Sequence, residues 1–164
     1  MTQNNTRYYI GIDPGVNTGY AVWDALEREL VKVGCVDFLE MVKMLEAINP
    51  MEYTVIIEDP NLNAPTFFHK ETDRRKREKI SQNVGANKRD AQLLIQLCQR
   101  RGLEFQPRRP SQGKWSSAVC RSIIRQKISP DNSHTRDAVR LVWGIQSRKH
   151  RRRVVFIDGE GDDE

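Results

Sequence analysis

The segment that most constrains the fold is Tyr53-Thr54-Val55-Ile56-Ile57-Glu58. It is apolar nearly throughout rather than alternating, as a strand buried on both faces must be. Such strands belong to the parallel part of a sheet covered by helices on either side. Tyr8-Tyr9-Ile10-Gly11-Ile12-Asp13 is a second short, apolar-rich run, and the two share an awkward feature. Each ends in a carboxylate, followed by Pro14-Gly15 in one case and Asp59-Pro60 in the other. Desolvating a carboxylate at the end of a hydrophobic strand is unfavourable unless a cation meets it.

Around these two runs the remaining elements fall into place. Gly19–Asp24 and Leu30–Val36 read as strands joined by a turn at residues 25–29, which makes an antiparallel three-stranded meander with the first run. Phe38, Leu39, Met41, Val42, Leu45 and Ile48 recur at helical spacing until Asn49-Pro50, and Met41 and Met44 read as core filler. From Asn61 to Lys79 the chain reads as an irregular, charged insertion, with six bases crowded into residues 70–79. Helical periodicity returns at Ala91, Leu94, Ile95, Leu97 and Cys98, with Gly102 as its terminator. Leu103–Phe105 is a short strand before a break at Pro107–Pro110. Trp115, Ala118, Val119, Ser122 and Ile123 mark a helix with Ser111 as its N-cap. A last helix follows Pro130–Ser133 and buries Ala138, Leu141, Val142 and Ile145. The order βββαβ–α–β–αα predicts a mixed α/β fold in one domain, residues 1–157, with an acidic tail at 158–164.

At 164 residues the chain is long enough for one such domain and short for two. Its formal charge of +5 conceals an asymmetry, because five of the 22 acids lie in the last seven residues. Without them 27 bases face 17 acids, a net +10, which favours a polyanionic partner such as nucleic acid. Cys35, Cys98 and Cys120 are far apart and sit in apolar patterns, so free, buried thiols of a reducing compartment are expected. The polar start Met1–Arg7 has no apolar signal region, and no apolar run approaches membrane-spanning length. A soluble, cytoplasmic protein without a membrane partner is the expectation.

A third acid joins the two strand-end carboxylates. Asp137 opens the apolar helical pattern Ala138-Val139-Arg140-Leu141-Val142, with His134 three residues earlier on the same helical face. If the first strand neighbours the fourth, Asp13 and Glu58 share the C-terminal edge of the sheet, where α/β proteins bind ligands. The last helix, crossing that edge in its first turn, would bring Asp137 and His134 to them. Carboxylates gathered without a cation repel one another and raise their own pKa values. Two Mg²⁺ or Mn²⁺ ions about 4 Å apart would neutralise them and clamp both oxygens of an in-line phosphoryl displacement. Singly, each residue has an ordinary reading: Asp13 as a turn residue, Glu58 as a solvated edge charge, Asp137 as a helix-dipole acid and His134 as a helix-entry residue. Their matching positions favour the joint reading.

Ile10-Gly11-Ile12-Asp13-Pro14-Gly15 followed by Thr18-Gly19-Tyr20-Ala21-Val22 resembles the opening motif of RuvC-type Holliday junction resolvases. Val55–Glu58 and His134-Thr135-Arg136-Asp137-Ala138 resemble that family's later acidic motifs, in the same order. The resemblance implies a ribonuclease H-like fold with a mixed five-stranded sheet flanked by helices. It also implies a homodimer that cuts four-way DNA junctions symmetrically with divalent metal, leaving 5′-phosphate and 3′-hydroxyl ends. Asp13, Glu58 and Asp137 match the metal-binding acids, and His134 the fourth site position. Lys114 resembles a basic residue that contacts the scissile region. Two departures stand out. The stretch between Pro14-Gly15 and Thr18-Gly19 is a residue shorter than usual, and Asp59-Pro60-Asn61 stands where the family carries a junction-probing aromatic. Divergence of this kind suits a phage or mobile-element version.

The expected DNA-binding surface comprises Lys70, Arg74, Arg75, Lys76, Arg77 and Lys79, together with Lys88, Arg89, Arg108, Arg109 and Lys114. The run Arg148–Arg153 is expected to flank the site as well. These bases position phosphates without reading sequence, and Phe67-Phe68 are placed to stack on unpaired bases. Other readings keep the fold but change its use: a broader branched-DNA or flap nuclease, an RNA–DNA hybrid nuclease, or a non-catalytic DNA-binding module. An actin-like ATPase also ends its first strand in Asp-x-Gly, but it needs two domains around a nucleotide. No nucleotide cofactor is expected.

Overall fold

The computed structural model describes residues 6–63 and 73–147. Phe67, Phe68, Lys70, Arg148–Arg153 and the acidic tail lie outside the described residues. The strands are β1 (Tyr8–Asp13), β2 (Thr18–Asp24), β3 (Glu29–Val36), β4 (Tyr53–Glu58) and β5 (Glu104–Arg108). The helices are α1 (Phe38–Ala47), α2 (Arg74–Arg101), α3 (Ser117–Ile124) and α4 (Ser133–Val142), with one 3₁₀ turn at Pro60–Leu62. The sheet order is β3-β2-β1-β4-β5, so the first strand does neighbour the fourth. β1–β2 and β2–β3 are antiparallel, whereas β1–β4 and β4–β5 are parallel. Thr54, Val55, Ile56 and Ile57 are all buried, as a strand covered on both faces requires.

Helices cover both faces of the sheet. Ile10, Ile12, Val55 and Ile57 point to a core shared with Met41 and Leu45 of α1 and Ala91, Leu94 and Cys98 of α2. Their strand neighbours Tyr9 and Ile56 point the other way, toward Cys120 and Ile124 of α3 and Ala138, Val139 and Val142 of α4. This period of two along each strand feeds two separate apolar layers. The thiols of Cys35, Cys98 and Cys120 are free, with Cys98 and Cys120 buried.

Several boundaries differ from the sequence expectation, each for a physical reason. The charged stretch from Arg74 is no loop but the first half of α2, capped by Asp73, whose side chain accepts from the amides of Arg75 and Lys76. Lys and Arg are good helix formers, and their density hides the periodicity of a half that buries no side chain among the described residues. Residues 74–86 are exposed throughout, an arm about 20 Å long at 1.5 Å per residue. β5 begins one residue later than expected and runs on to Arg108 through Pro107, tolerated because β5 is an edge strand. Ser116, not Ser111, caps α3, accepting from the Val119 amide. Only Cys120 and Ile124 of that helix are buried, whereas Val119 and Ile123, two of the residues that marked the helix, are exposed. α4 starts at Ser133, so Asp137 lies in its second turn rather than its first, beyond the helix-end field. Leu141 and Ile145 are only partly buried. Gly102 does end α2, in the left-handed region at φ 65°.

Candidate active site

β1 and β4 run parallel in register, Ile12 beside Ile57, so Asp13 and Glu58 emerge together at the C-terminal edge. The turn after Asp13 is closed by Thr18, whose buried Oγ1 donates to the Gly15 carbonyl at 2.9 Å. α4 then crosses the edge from the other layer. It is brought close by two glycines: a Cβ at Gly11 would collide with the Ala138 carbonyl, and one at Gly19 with the His134 carbonyl. A capping box between Asn132 and Thr135 fixes where α4 begins. The i, i+3 spacing then turns His134 and Asp137 toward the sheet edge.

The side chains meet in two pairs. His134 Nδ1 lies 2.9 Å from Asp13 Oδ2, and Lys114 Nζ donates to Asp137 Oδ2 at 2.8 Å. Asp13 and Asp137 are buried, 8% and 7% exposed, so both carboxylates are largely stripped of water. Burial pushes the Asp13 carboxyl above its ordinary range, the His134 contact works against that shift, and Asp137 adds repulsion. Glu58 is pushed up to about 7, first by burial and then by the charges of Asp13 and Asp137. Lys114 is raised by its hydrogen bond to Asp137. The pattern is that of like charges held together, and such groups cluster at functional sites.

A cleft of about 190 Å³ opens beside these acids, lined by Glu58, Asp137, Arg108, Arg109, Lys114 and Arg140. Of the four cations on this lining only Lys114 forms an ion pair with a cleft acid among the described residues, which leaves the other three on the rim to meet an approaching phosphate. Arg108 stands beside Glu58 in the β4–β5 register, and its carbonyl accepts from the Asp59 amide at 2.7 Å. Of the expected residues, the structure brings together Asp13, Glu58, Lys114, His134, Asp137, Arg108 and Arg109. It does not bring Arg74, Arg75, Lys76, Arg77 or Lys79 to the cleft: they ride the exposed arm of α2, where Arg74 pairs with Glu78 at 3.0 Å. Lys88 and Arg89 lie farther along α2. The Lys88 carbonyl accepts from Asn61 Nδ2, and neighbouring Asn87 approaches Gly15.

Two arginines of α4 escaped the sequence reading. Arg136 Nε donates to the Trp115 carbonyl at 3.0 Å, and Arg140 donates to the Gly113 carbonyl. The Arg140 guanidinium also lies 5.9 Å from the Trp115 ring centroid. Together they grip the chain on both sides of Lys114 and so set the ammonium against Asp137. Their i, i+4 spacing around Asp137 was the available signal.

The donor set matches a hard divalent cation, being three carboxylates whose mutual repulsion lacks full compensation, with one imidazole. As the side chains lie, no group of three or more such ligands is close enough to hold an ion among the described residues. Lys114 and His134 occupy Asp137 and Asp13 instead.

No protein-family model matches the chain, and no curated protein does. Among solved structures it is similar to T. thermophilus RuvC in complex with Holliday junction substrate, with a TM-score of 0.51 and 17% sequence identity. The match covers 82% of this chain and 88% of that one. The two share a fold, and the expected ribonuclease H-like architecture is borne out. No helix among the described residues is long and apolar enough to cross a membrane.

Proposed function

We propose that the chain is a metal-dependent endonuclease that hydrolyses phosphodiester bonds in branched DNA. Its substrate on this reading is the four-way junction, cut symmetrically by a homodimer to leave 5′-phosphate and 3′-hydroxyl ends. The observation that carries the proposal is the crowding of Asp13, Glu58 and Asp137 at one sheet edge, beside a cleft rimmed by Arg108, Arg109, Lys114 and Arg140. The fold shared with a protein solved on a Holliday junction adds to it.

Asp13, Glu58 and Asp137 would hold Mg²⁺ or Mn²⁺, two ions per site, with His134 as a ligand or orienting group. Bound there, such ions supply an activated water and offset charge on the leaving oxygen. His134 fixes the Asp13 carboxylate through its 2.9 Å contact. Lys114, which lines the cleft and donates to Asp137, would stand as a donor to the scissile phosphate. Arg108 and Arg109 steer the backbone into the cleft, and the basic arm of α2 adds phosphate contacts outside it. A twofold-symmetric junction calls for a C₂ pair of such sites.

One observation favours a second reading, a broader branch or flap nuclease. The residues after Glu58 form a tight 3₁₀ turn in which Asp59 Oδ1 accepts from the Asn61 amide and side chain, and the turn's own residues include no aromatic. An end-labelled four-way junction, a three-way junction, a flap, an RNA–DNA hybrid and a linear duplex, each with Mg²⁺, Mn²⁺ or EDTA, separate the readings. Paired, metal-dependent nicks confined to the four-way junction are expected. Cutting of flaps and three-way junctions as well would establish the broader nuclease. Binding without cleavage of any substrate would reduce the chain to a DNA-binding module.

A further inference from the structure

A second cationic groove lies away from the acidic edge. Arg121, Arg125 and Lys127 stand around a cleft of about 380 Å³ floored by Cys120 and Ile128, at the C-terminal end of α3. Gln126, Lys127 and Ile128 also line an adjoining cleft of about 220 Å³ that reaches the edge strand β3 at Lys32. Four bases thus line a connected groove in which one acid, Asp131, takes part. That acid is already engaged: Arg136 Nη1 donates to it at 2.6 Å, and the Ser117 hydroxyl donates to its other oxygen. Among the described residues no hydrogen bond or ion pair occupies the side chains of Arg125 and Lys127, so their charge is available to an outside anion. Arg125 also sits at φ 55°, a left-handed conformation that glycine adopts without strain.

The groove's place in the fold says which anion. α3 starts three residues after Lys114, so one eight-residue helix joins the acidic cleft to the groove at its C-terminal end, and a DNA backbone held at the cleft is the polyanion nearest that groove. We infer that this groove is a second DNA subsite, in which Arg125 and Lys127, with Arg121 and Lys32 beside them, hold backbone phosphates of the same arm whose bond is addressed at the acidic edge. The inference rests on the nuclease reading above. In functional terms, it would make the protein grip one arm at two points, which fixes where along that arm the acidic edge falls.

The test is DNA binding by the full chain to a labelled four-way junction in Ca²⁺, across a salt series, with two variants of equal charge loss. Arg125→Gln/Lys127→Gln removes the groove's free cations. Lys43→Gln/Arg100→Gln removes two bases from α1 and α2, on the opposite face of the sheet. The groove variant is expected to bind at least fivefold more weakly, with a salt slope lower by about 0.9 for each lost phosphate contact. The control should stay within twofold of wild type. Arg125→Gly gives a separate reading, since relief of the positive φ should hold or raise the Tm while affinity still falls. Ethylation interference on the wild-type complex should mark phosphates on the cut arm beyond those at the cut itself, and those marks should be absent with the groove variant. A groove variant that matches the control, with no interference at those phosphates, overturns the subsite while leaving the nuclease reading intact. A wild-type protein that binds no branched DNA overturns both.

Discussion

The two ends of the sheet each bury an aspartate, and they treat it in opposite ways. At one end Asp24 closes β2. Its Oδ2 accepts from Arg7 Nε and Nη2 at 2.8 and 2.6 Å, and its Oδ1 accepts from the amides of Leu26 and Glu27. Burial would raise its pKa, but the Arg7 and amide hydrogen bonds outweigh burial and hold it below the ordinary range. At the other end Asp13 receives a histidine, while the Glu58 carboxyl has no hydrogen bond among the described residues, and both carboxyls are raised. The same residue chemistry on the same sheet is saturated at one end and left short of cations at the other. A satisfied carboxylate stabilises the fold, whereas one left short of positive charge is poised to receive it from outside.

The difference makes the two ends separable by mutation. Asp13→Asn should lower cleavage of a four-way junction by at least about 10³-fold, about 4 kcal/mol of barrier, while thermal stability holds or rises because a frustrated charge is gone. Loss of stability with retained cleavage would reverse the comparison. Gly19→Ala should act through position alone. The added methyl meets the His134 carbonyl and displaces α4 from the edge, and a shift near 1 Å costs about 10²-fold in rate. Single-turnover kinetics on the folded variant, normalised by circular dichroism, would check it.

Asp24→Asn should do the converse, losing about 1–3 kcal/mol in denaturant unfolding while cleavage per folded molecule is unchanged. The smallest expected effect is on pH dependence, where the two ends have opposite signs. Glu58 is raised from 4.5 to about 7, so the folded state holds a proton that the unfolded chain has released across that window. Its contribution is therefore present below about pH 4.5 and lost as pH rises through about 7. In metal-free protein this should amount to about 1–2 kcal/mol, discounted from the full shift because the carboxylate is not fully buried. Glu58→Gln should flatten that slope. Asp24, with a lowered pKa, contributes stability above the ordinary carboxylate range that is lost as pH falls through its folded-state value.

How far the sequence carried the account differs between these regions for physical reasons. β1 and β4 were legible because strands buried on both faces leave unbroken apolar runs, and their terminal acids stood out against that background. Their meeting followed from one topological rule about the sheet edge, and His134 and Asp137 from helical spacing. Partners set by tertiary approach were not legible. The i, i+4 spacing around Asp137 singles out Arg136 and Arg140, but it does not announce that they clamp Gly113 and Trp115, or that α4 lies on Gly11 and Gly19. The arm of α2 was obscured for a different reason. A helix segment with an exposed face all round shows no apolar period, so Arg74–Lys79 read as part of an irregular charged insertion. Pro107 misled in the same local way, because an edge strand tolerates what a central strand excludes.

The most direct test of the account is thermal unfolding at pH 8 with and without Mn²⁺ or Mg²⁺, run side by side on wild type, Asp13→Asn and Asp24→Asn. A site short of positive charge should be stabilised by a divalent cation in proportion to RT ln(1 + [M]/Kd), several degrees at saturating metal. The account predicts that metal raises the Tm of wild type and of Asp24→Asn by similar amounts and leaves Asp13→Asn nearly unmoved. An equal rise in all three proteins, or none in wild type, would contradict it.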